Sequence, residues 1–499
     1  MEAYAITDSA EFSGEWHLPG DDAPRVAGAL SWREKRATLA LHDAFKKMRG
    51  AIYGTEEFEY PAIRGTTTKS DLVSVLHAYR SASGFSLGAA GMREPETVTS
   101  NWVVIGAHVT ADTKYRELRV RIPGLQMWIS RSGMMQSILD KTDDKPPTVL
   151  YTIEAMPEEF TPIPTAGLSL GWGIDRQFSG DLLSTINVQS SACLRIKPDA
   201  AQTLEWLVRE MGKAVTLLAF AAGSPMAPDR MTAKLADVDH DVAVLVALRE
   251  SNYCTHKHTF NFFMLRGNMH AELGDVFARW YAIYDSVAMP SQLALGVLSS
   301  TGLWLHVEYL SLMQALEGLH RALMHGLYVS EADYAPIAHA LTNAIPRGTQ
   351  SDHRDSLKSR IKYGNQLSLR KRLAALTNRL DLPIRQFVLG GDGTVPGAWV
   401  DTRNYYTHWD ETLRPNMLDG NGMYRACARM KTLLRVLYLQ LVGIPDDAII
   451  ESLKGGCSEC QYLIQLNASD HRKRYPKSEA GAMMRIDVKD AQSPDPPSA

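Results

Sequence analysis

The apolar residues of this chain follow two rhythms. Up to about Arg266 they alternate with polar ones or cluster in short β-branched runs, as in NWVVIGAHVT, YRELRVRIPG and TVLYTIEAM, with Gly- and Pro-bearing turns between. Alternation with a period of two turns one side of an extended segment to a core, so the front half predicts strands. One helix interrupts, DAAQTLEWLVREMGKAVTLLAFAAG, with Asp199 as its cap and Gly223 as its stop. After CTHKHTFNFFMLRG the period lengthens. In LWLHVEYLSLMQALEGLHRALMHG, residues Leu305, Tyr309, Leu312, Leu316, Leu319 and Leu323 form one stripe that Gly326 ends. Helices are also predicted for SEADYAPIAHALTNAI, for DSLKSRIKYGNQLSLRKRLAALTNRL with a break at Gly364, and for MYRACARMKTLLRVLYLQLVG.

This change of texture predicts an α+β multidomain protein, a β-rich N-terminal domain followed by an all-α helical-bundle domain. The expected bounds are 1–265 and 266–476. The tail, 477–499, has too few apolar residues to fold and is expected to be disordered. No internal repeat is visible.

Composition narrows the class. With 499 residues, 45% hydrophobic and 22% charged, the chain has the profile of a soluble protein of two or three domains. A net charge of −3 means that any nucleic-acid contact rests on a local basic surface. The N-terminus has no secretory signal, and the longest apolar run, AVTLLAFAAG, is about half of the ~20 residues a membrane span needs, so no membrane partner is expected. Five cysteines, unevenly spread, are no disulfide framework and suggest a reducing, cytoplasmic setting.

The candidate chemistry lies in DTRNYYTHWDE, Asp401 to Glu411. Metal-free phosphodiester cleavage needs a group that moves protons and a group that neutralises charge on the phosphorane-like transition state. Histidine, titrating near neutrality, suits the first, and arginine, always charged and forked, suits the second. Here these are His408 and Arg403, with Asn404 beside the arginine. Asp401 or Thr402 is expected to cap a helix starting there, whose N-terminus would favour a phosphate. Five residues apart on a helix is roughly 140°, so Arg403 and His408 do not share a face. A cleft between two copies would reconcile them. About one R-x-x-x-x-H match is expected by chance in such a chain, so spacing alone leaves a solvated helix face as the commoner explanation.

Other stretches supply context. YLSLMQALEGLHRAL (Tyr309–Leu323), IKYGNQLSLRKRLAAL (Ile361–Leu376) and RNYYTHWD, in that order, resemble helices of the ApeA-type HEPN family of bacterial abortive-infection proteins. At the front, FSGEWHLPGDDAPRVAGALSW, ATLALHDAF, AIYGTEEFEYPAIRG and LQMWISRSG resemble that family's N-terminal domain. The chain departs from the pattern at Leu319, where an aromatic often precedes the helix histidine. The resemblance implies a metal-independent endoribonuclease in anti-phage defence. Arg403 and His408 would be its catalytic pair and Asn404 their companion. It further implies a homodimer that brings two motifs into one cleft, an RNA substrate with tRNA among the candidates, and a phage-derived trigger acting through the front domain. No cofactor is implied.

The residues also leave rivals. The segment from Ser351 to Phe387 holds nine Lys or Arg against three Asp, and Arg370, Lys371 and Arg372 are its candidate RNA-binding residues, although three consecutive positions cannot all face one way. A solvated helix face explains it equally well. Glu317 and His320, three apart on the long helix and at the margin of its stripe, either line the cleft or make a structural contact between copies, and the structural reading is favoured. CTHKH would place Cys254, His256 and His258 on one face of a strand, half of a zinc site without a fourth ligand, and CSEC (Cys457, Cys460) is a lone CxxC, so metal is left out. The alternative function is a non-catalytic HEPN module that binds RNA or protein, with a regulatory or dimerisation role.

Overall fold

The computed structural model describes residues 4–20, 23–46, 59–84, 86–88, 91–130, 133–139, 148–154, 158–181, 184–248 and 253–474. The tail expected to be disordered and all of AIYGTEEF lie outside them. The described residues fall into two compact units, one drawn from Met1–Leu303 and Arg435–Ser452, the other from Trp304–Leu434 and Leu453–Ala499. Strands end at Val246 and long helices begin at Leu273, while the units part at Leu303.

The first unit is built on strands β1 (Ala10–His17), β2 (Val26–Arg33), β3 (Arg36–Leu41), β4 (Glu59–Thr67) and β5 (Leu72–Ser83), with the short hairpin β6 (Ser86–Gly88) and β7 (Gly91–Arg93), and then β8 (Glu96–Ser100) and β9 (Trp102–Ile105). β8 pairs with both β3 and β5, which closes β5-β4-β1-β2-β3-β8 into a barrel. Alternation fills it: Phe12, Trp16, Leu30, Trp32, Leu39 and Tyr60 are buried. Trp16 decides a neighbour, because a Cβ at its register partner Gly65 would lie 2.3 Å from the indole. No larger residue fits that position.

The sheet continues past β9. Here stand β10 (Lys114–Arg121), a short helix α1 (Leu125–Ile129), the hairpin β11 (Met134–Leu139) and β12 (Thr148–Ile153), β13 (Glu159–Ile163), and the long hairpin β14 (Leu168–Asp181) and β15 (Thr185–Pro198). β16 (Gln202–Thr203), β17 (Arg230–Leu235) and β18 (Asp241–Val246) complete it, in the order β13-β14-β15-β10-β17-β18-β9. Helix α2 (Leu204–Ala222) packs on β10 and β15 and against α3 (Leu273–Leu298). Its cap is Thr203, whose hydroxyl accepts from Trp206 N at 3.4 Å. Asp199 is not the cap, because Gln202 and Thr203 first pair with β10. Gly223 does stop the helix, in the left-handed conformation at φ 72°. Residues 253–258 form no strand, so the pleat that would align Cys254, His256 and His258 is missing. His256 packs edge-on to Phe262 and His258 stacks on Phe260.

The second unit is helical. α4 (Leu305–Leu323) buries Tyr309, Leu312, Leu316 and Leu319, the stripe read from the sequence. α5 (Glu331–Asn343) and α6 (Ser351–Tyr363) make a hairpin in which neither helix buries a residue. The chain breaks at Gly364 before α7 (Leu369–Thr377), as the sequence predicts. Then follow α8 (Leu382–Leu389), α9 (Gly397–His408), α10 (Gly420–Leu441), α11 (Asp446–Lys454) and α12 (Ser458–Arg474), of which the end of α10 from Arg435 and α11 up to Ser452 belong to the first unit. α4 packs against α7 and α9, and a Lys431–Glu308 ion pair of 2.8 Å ties it to α10. Gly326 is not a helix stop: α4 ends at Leu323, and a Cβ at Gly326 would lie 2.4 Å from the Arg372 guanidinium.

Candidate functional site

The site is built on α9. Trp399, Thr402 and Tyr405, three apart, form its buried face together with Val400, and two hydrogen bonds fix its placement. Tyr309 OH donates to Trp399 O at 2.7 Å, and Leu418 N donates to the Thr402 hydroxyl at 2.8 Å. With that face inward, Arg403 and Asn404 are half-buried and Thr407 and His408 are exposed.

The helix does not start where the sequence suggests. Pro396 precedes it and Gly397 opens it, so Asp401 and Thr402 lie inside, and Thr402 is fully buried. His408 is the last helical residue. Trp409 then turns left-handed at φ 53° and its N–H returns to Tyr405 O at 2.7 Å. Asp410 caps the next turn through Thr412 N at 3.0 Å. The motif therefore occupies the C-terminal end of α9, where helix partial charges are negative. Any attraction for a phosphate there comes from side chains.

Arg403 supplies it. Its Nη2 donates to Glu317 Oε2 at 3.2 Å and its Nη1 to Asn404 Oδ1 at 3.1 Å. The other Glu317 oxygen accepts from Arg321 Nη2 and Nε at 2.9 and 3.1 Å, and Arg321 reaches Gln366 at 3.4 Å. One carboxylate thus orients two guanidiniums. The set Arg321, Glu317, Arg403 carries one net positive charge, and a guanidinium has about five N–H donors, so Arg403 is oriented without being used up. The sequence favours a structural role for Glu317 over one in the cleft. Its link to Arg403 spans 86 residues, and only its i,i+4 relation to Arg321 is visible in the chain.

Aromatic side chains cluster at the end of α9 and the start of α4. Trp304 is 78% exposed and Trp409 69%, both unusual for tryptophan. His306 stacks on Tyr406 with ring centroids 6.0 Å apart, and Tyr406 meets Trp409 edge-on at 6.2 Å. No motif marks this surface in the sequence, because Trp304 and Trp409 are over a hundred positions apart.

The basic trio on α7 divides. Arg370 is exposed and reaches Asp401 on α9 at 3.5 Å, and Lys371 is exposed. Arg372 is 3% exposed, and its donors go to Leu367 O at 2.9 Å, Gly326 O at 3.3 Å and His320 Nδ1 at 3.3 Å. Its guanidinium is withdrawn from solvent, which corrects its assignment to an RNA-binding surface. His320 is no margin residue either, being fully buried. Because Nδ1 accepts from Arg372, the ring proton sits on Nε2, which has no partner. Burial lowers the His320 pKa, and the Arg372 and Arg321 charges lower it further against Glu317.

The family described as Apea-like HEPN matches residues 310–448, and the family described as ApeA N-terminal domain 1 matches residues 11–280. No curated protein and no solved structure matches the chain.

Proposed function

Because this chain belongs to the ApeA-type HEPN family of defence proteins, we propose that its helical unit is a metal-independent endoribonuclease acting in anti-phage defence. One observation carries the reading: Arg403 is held by Glu317 and Asn404 on the helix whose last residue, His408, is presented uncovered to solvent.

The reaction follows from these groups. The ribose 2′-oxygen attacks phosphorus, its proton passes to a neutral imidazole, and the bond to the 5′-oxygen breaks as that oxygen takes a proton. Arg403 faces the charge that develops on the non-bridging oxygens. The products are a 2′,3′-cyclic phosphate and a 5′-hydroxyl. Base and acid are two roles and each chain offers one His408, so two copies meeting at this surface would supply both. Trp304, Tyr406 and Trp409 suit a strand whose bases are unpaired, because every base offers a face for stacking. Arg370 and Lys371 would follow its phosphates. The strand-rich unit would hold the activity back until a phage-derived signal arrives.

The test is induction in bacteria, with and without phage challenge, of wild type and of His408→Ala and Arg403→Ala. RNA fragments with cyclic-phosphate ends in the wild type alone support the reading. Cleavage abolished by EDTA and restored by magnesium contradicts it. Toxicity or phage protection that survives both substitutions turns the helical unit into a binding module.

A further inference from the structure

The strand-rich unit contains a cavity of about 340 Å³ whose walls include Arg119, Arg121, Arg176, Arg230, Asp175 and Thr232. The sheet register assembles it. Arg119 and Arg121 are two apart on β10 and so share a face, and their partners across the ladder are Thr232 and Arg230 on β17. Arg121 is committed to Asp229 by two hydrogen bonds of 2.8 and 2.7 Å, and Arg119 stands 3.9 Å from Asp175. Arg230 has no such carboxylate: Asp229 and Asp8 act on it only at longer range, and both burial and the neighbouring Arg121 work against its charge. The Nε–H groups of Arg119 and Arg230 are buried without a partner. Cationic groups crowded together with unspent donors are unfavourable in an empty cavity and favourable around an anion.

We propose that this cavity binds a compact diphosphate group. Its volume is at the low end for small-molecule sites, which is too little for a folded or paired strand. Among the described residues no wall residue is aromatic, so a base finds nothing there to stack on, and recognition falls on phosphate oxygens gripped by forked donors. Inorganic pyrophosphate and nucleoside diphosphates both carry this group. The site is separate from the α9 surface and does not depend on the nuclease reading.

Calorimetry on the full chain at physiological chloride tests it, with inorganic pyrophosphate, ADP and a single-stranded oligoribonucleotide as titrants. One pyrophosphate or ADP per chain is expected, weakened at least about tenfold by Arg230→Gln. Pyrophosphate binding as tightly as ADP assigns the site to the diphosphate alone, and ADP binding much tighter assigns it to a nucleotide. The ligand-free Arg230→Gln protein is expected to melt no lower than wild type, because a half-buried like-charge neighbour of Arg121 has been removed. Should that variant fail to fold, Arg119→Gln takes its place with the same expectation. The proposal is overturned if neither diphosphate binds, if wild type and variant bind alike, or if only the oligonucleotide binds.

Discussion

Glu317 on α4 holds the Arg403 guanidinium on α9 at 3.2 Å and with its other oxygen holds Arg321, so one carboxylate sets the position of the charge the candidate site depends on. Glu317→Gln keeps shape and removes charge. RNA cleavage is expected to fall about tenfold to a hundredfold, in line with the cost of a small misplacement. The stability lost in urea unfolding should be only about 1–3 kcal/mol, because both arginines can turn to water. Unchanged cleavage would remove Glu317 from the site.

Arg370 and Arg372 are predicted to behave oppositely although two positions apart. Arg372→Ala leaves the Leu367 carbonyl and His320 Nδ1 without their donor inside the unit, while the Gly326 carbonyl keeps the Leu367 N–H at 2.7 Å, and is expected to cost about 2–4 kcal/mol of unfolding free energy. Arg370→Ala with Lys371→Ala should change stability by less than about 1 kcal/mol, since surface pairs contribute little. That double variant should instead weaken RNA binding and flatten its dependence on salt. Titrating a fluorescent oligonucleotide at two salt concentrations, alongside urea melts, distinguishes the two.

His320 makes stability depend on pH in a predictable sense. Its folded pKa lies below the ordinary 6.5, so below that pH the unfolded chain takes up a proton that the native ring refuses. The contribution is fully present above pH 6.5 and is lost as pH falls toward the folded value. His320→Asn keeps an acceptor for Arg372 and does not titrate. The drop in urea midpoint between pH 7.5 and pH 5.5 should therefore be smaller in the variant than in wild type. An equal drop in both would place the acid sensitivity elsewhere.

Trp409 offers a cleaner separation of binding from folding. Its left-handed backbone costs a residue with a Cβ about 1–2 kcal/mol, which glycine avoids, while edge contacts with Tyr405 and Tyr406 offset about as much. Trp409→Gly is expected to melt within a few degrees of wild type. If the indole stacks on a base, affinity for single-stranded RNA should drop by about 1–3 kcal/mol. Retained affinity would argue that the exposed tryptophan serves contact between copies instead.

Local physics made much of this protein legible without coordinates. The α4 stripe, the break at Gly364 and the stop at Gly223 follow from periodicity and backbone preference over a few residues, and the two rhythms of apolar residues separated strands from helices. The ordered run of short motifs also pointed to the family. What the chain could not reveal is set by contacts between distant segments. Whether α9 begins at Gly397 or at Asp401 depends on Tyr309 and Leu418 holding its buried face, and that choice moves His408 from a helix start to a helix end. Arg370, Lys371 and Arg372 look alike as letters, and only the space beside Gly326 and His320 decides which of them is buried. Glu317 has its partner 86 residues away, and the cationic cavity exists because register sets Arg121 opposite Arg230. Propensity acts over one or two turns of chain, whereas burial and charge pairing act through space, and the candidate sites are made of the second kind.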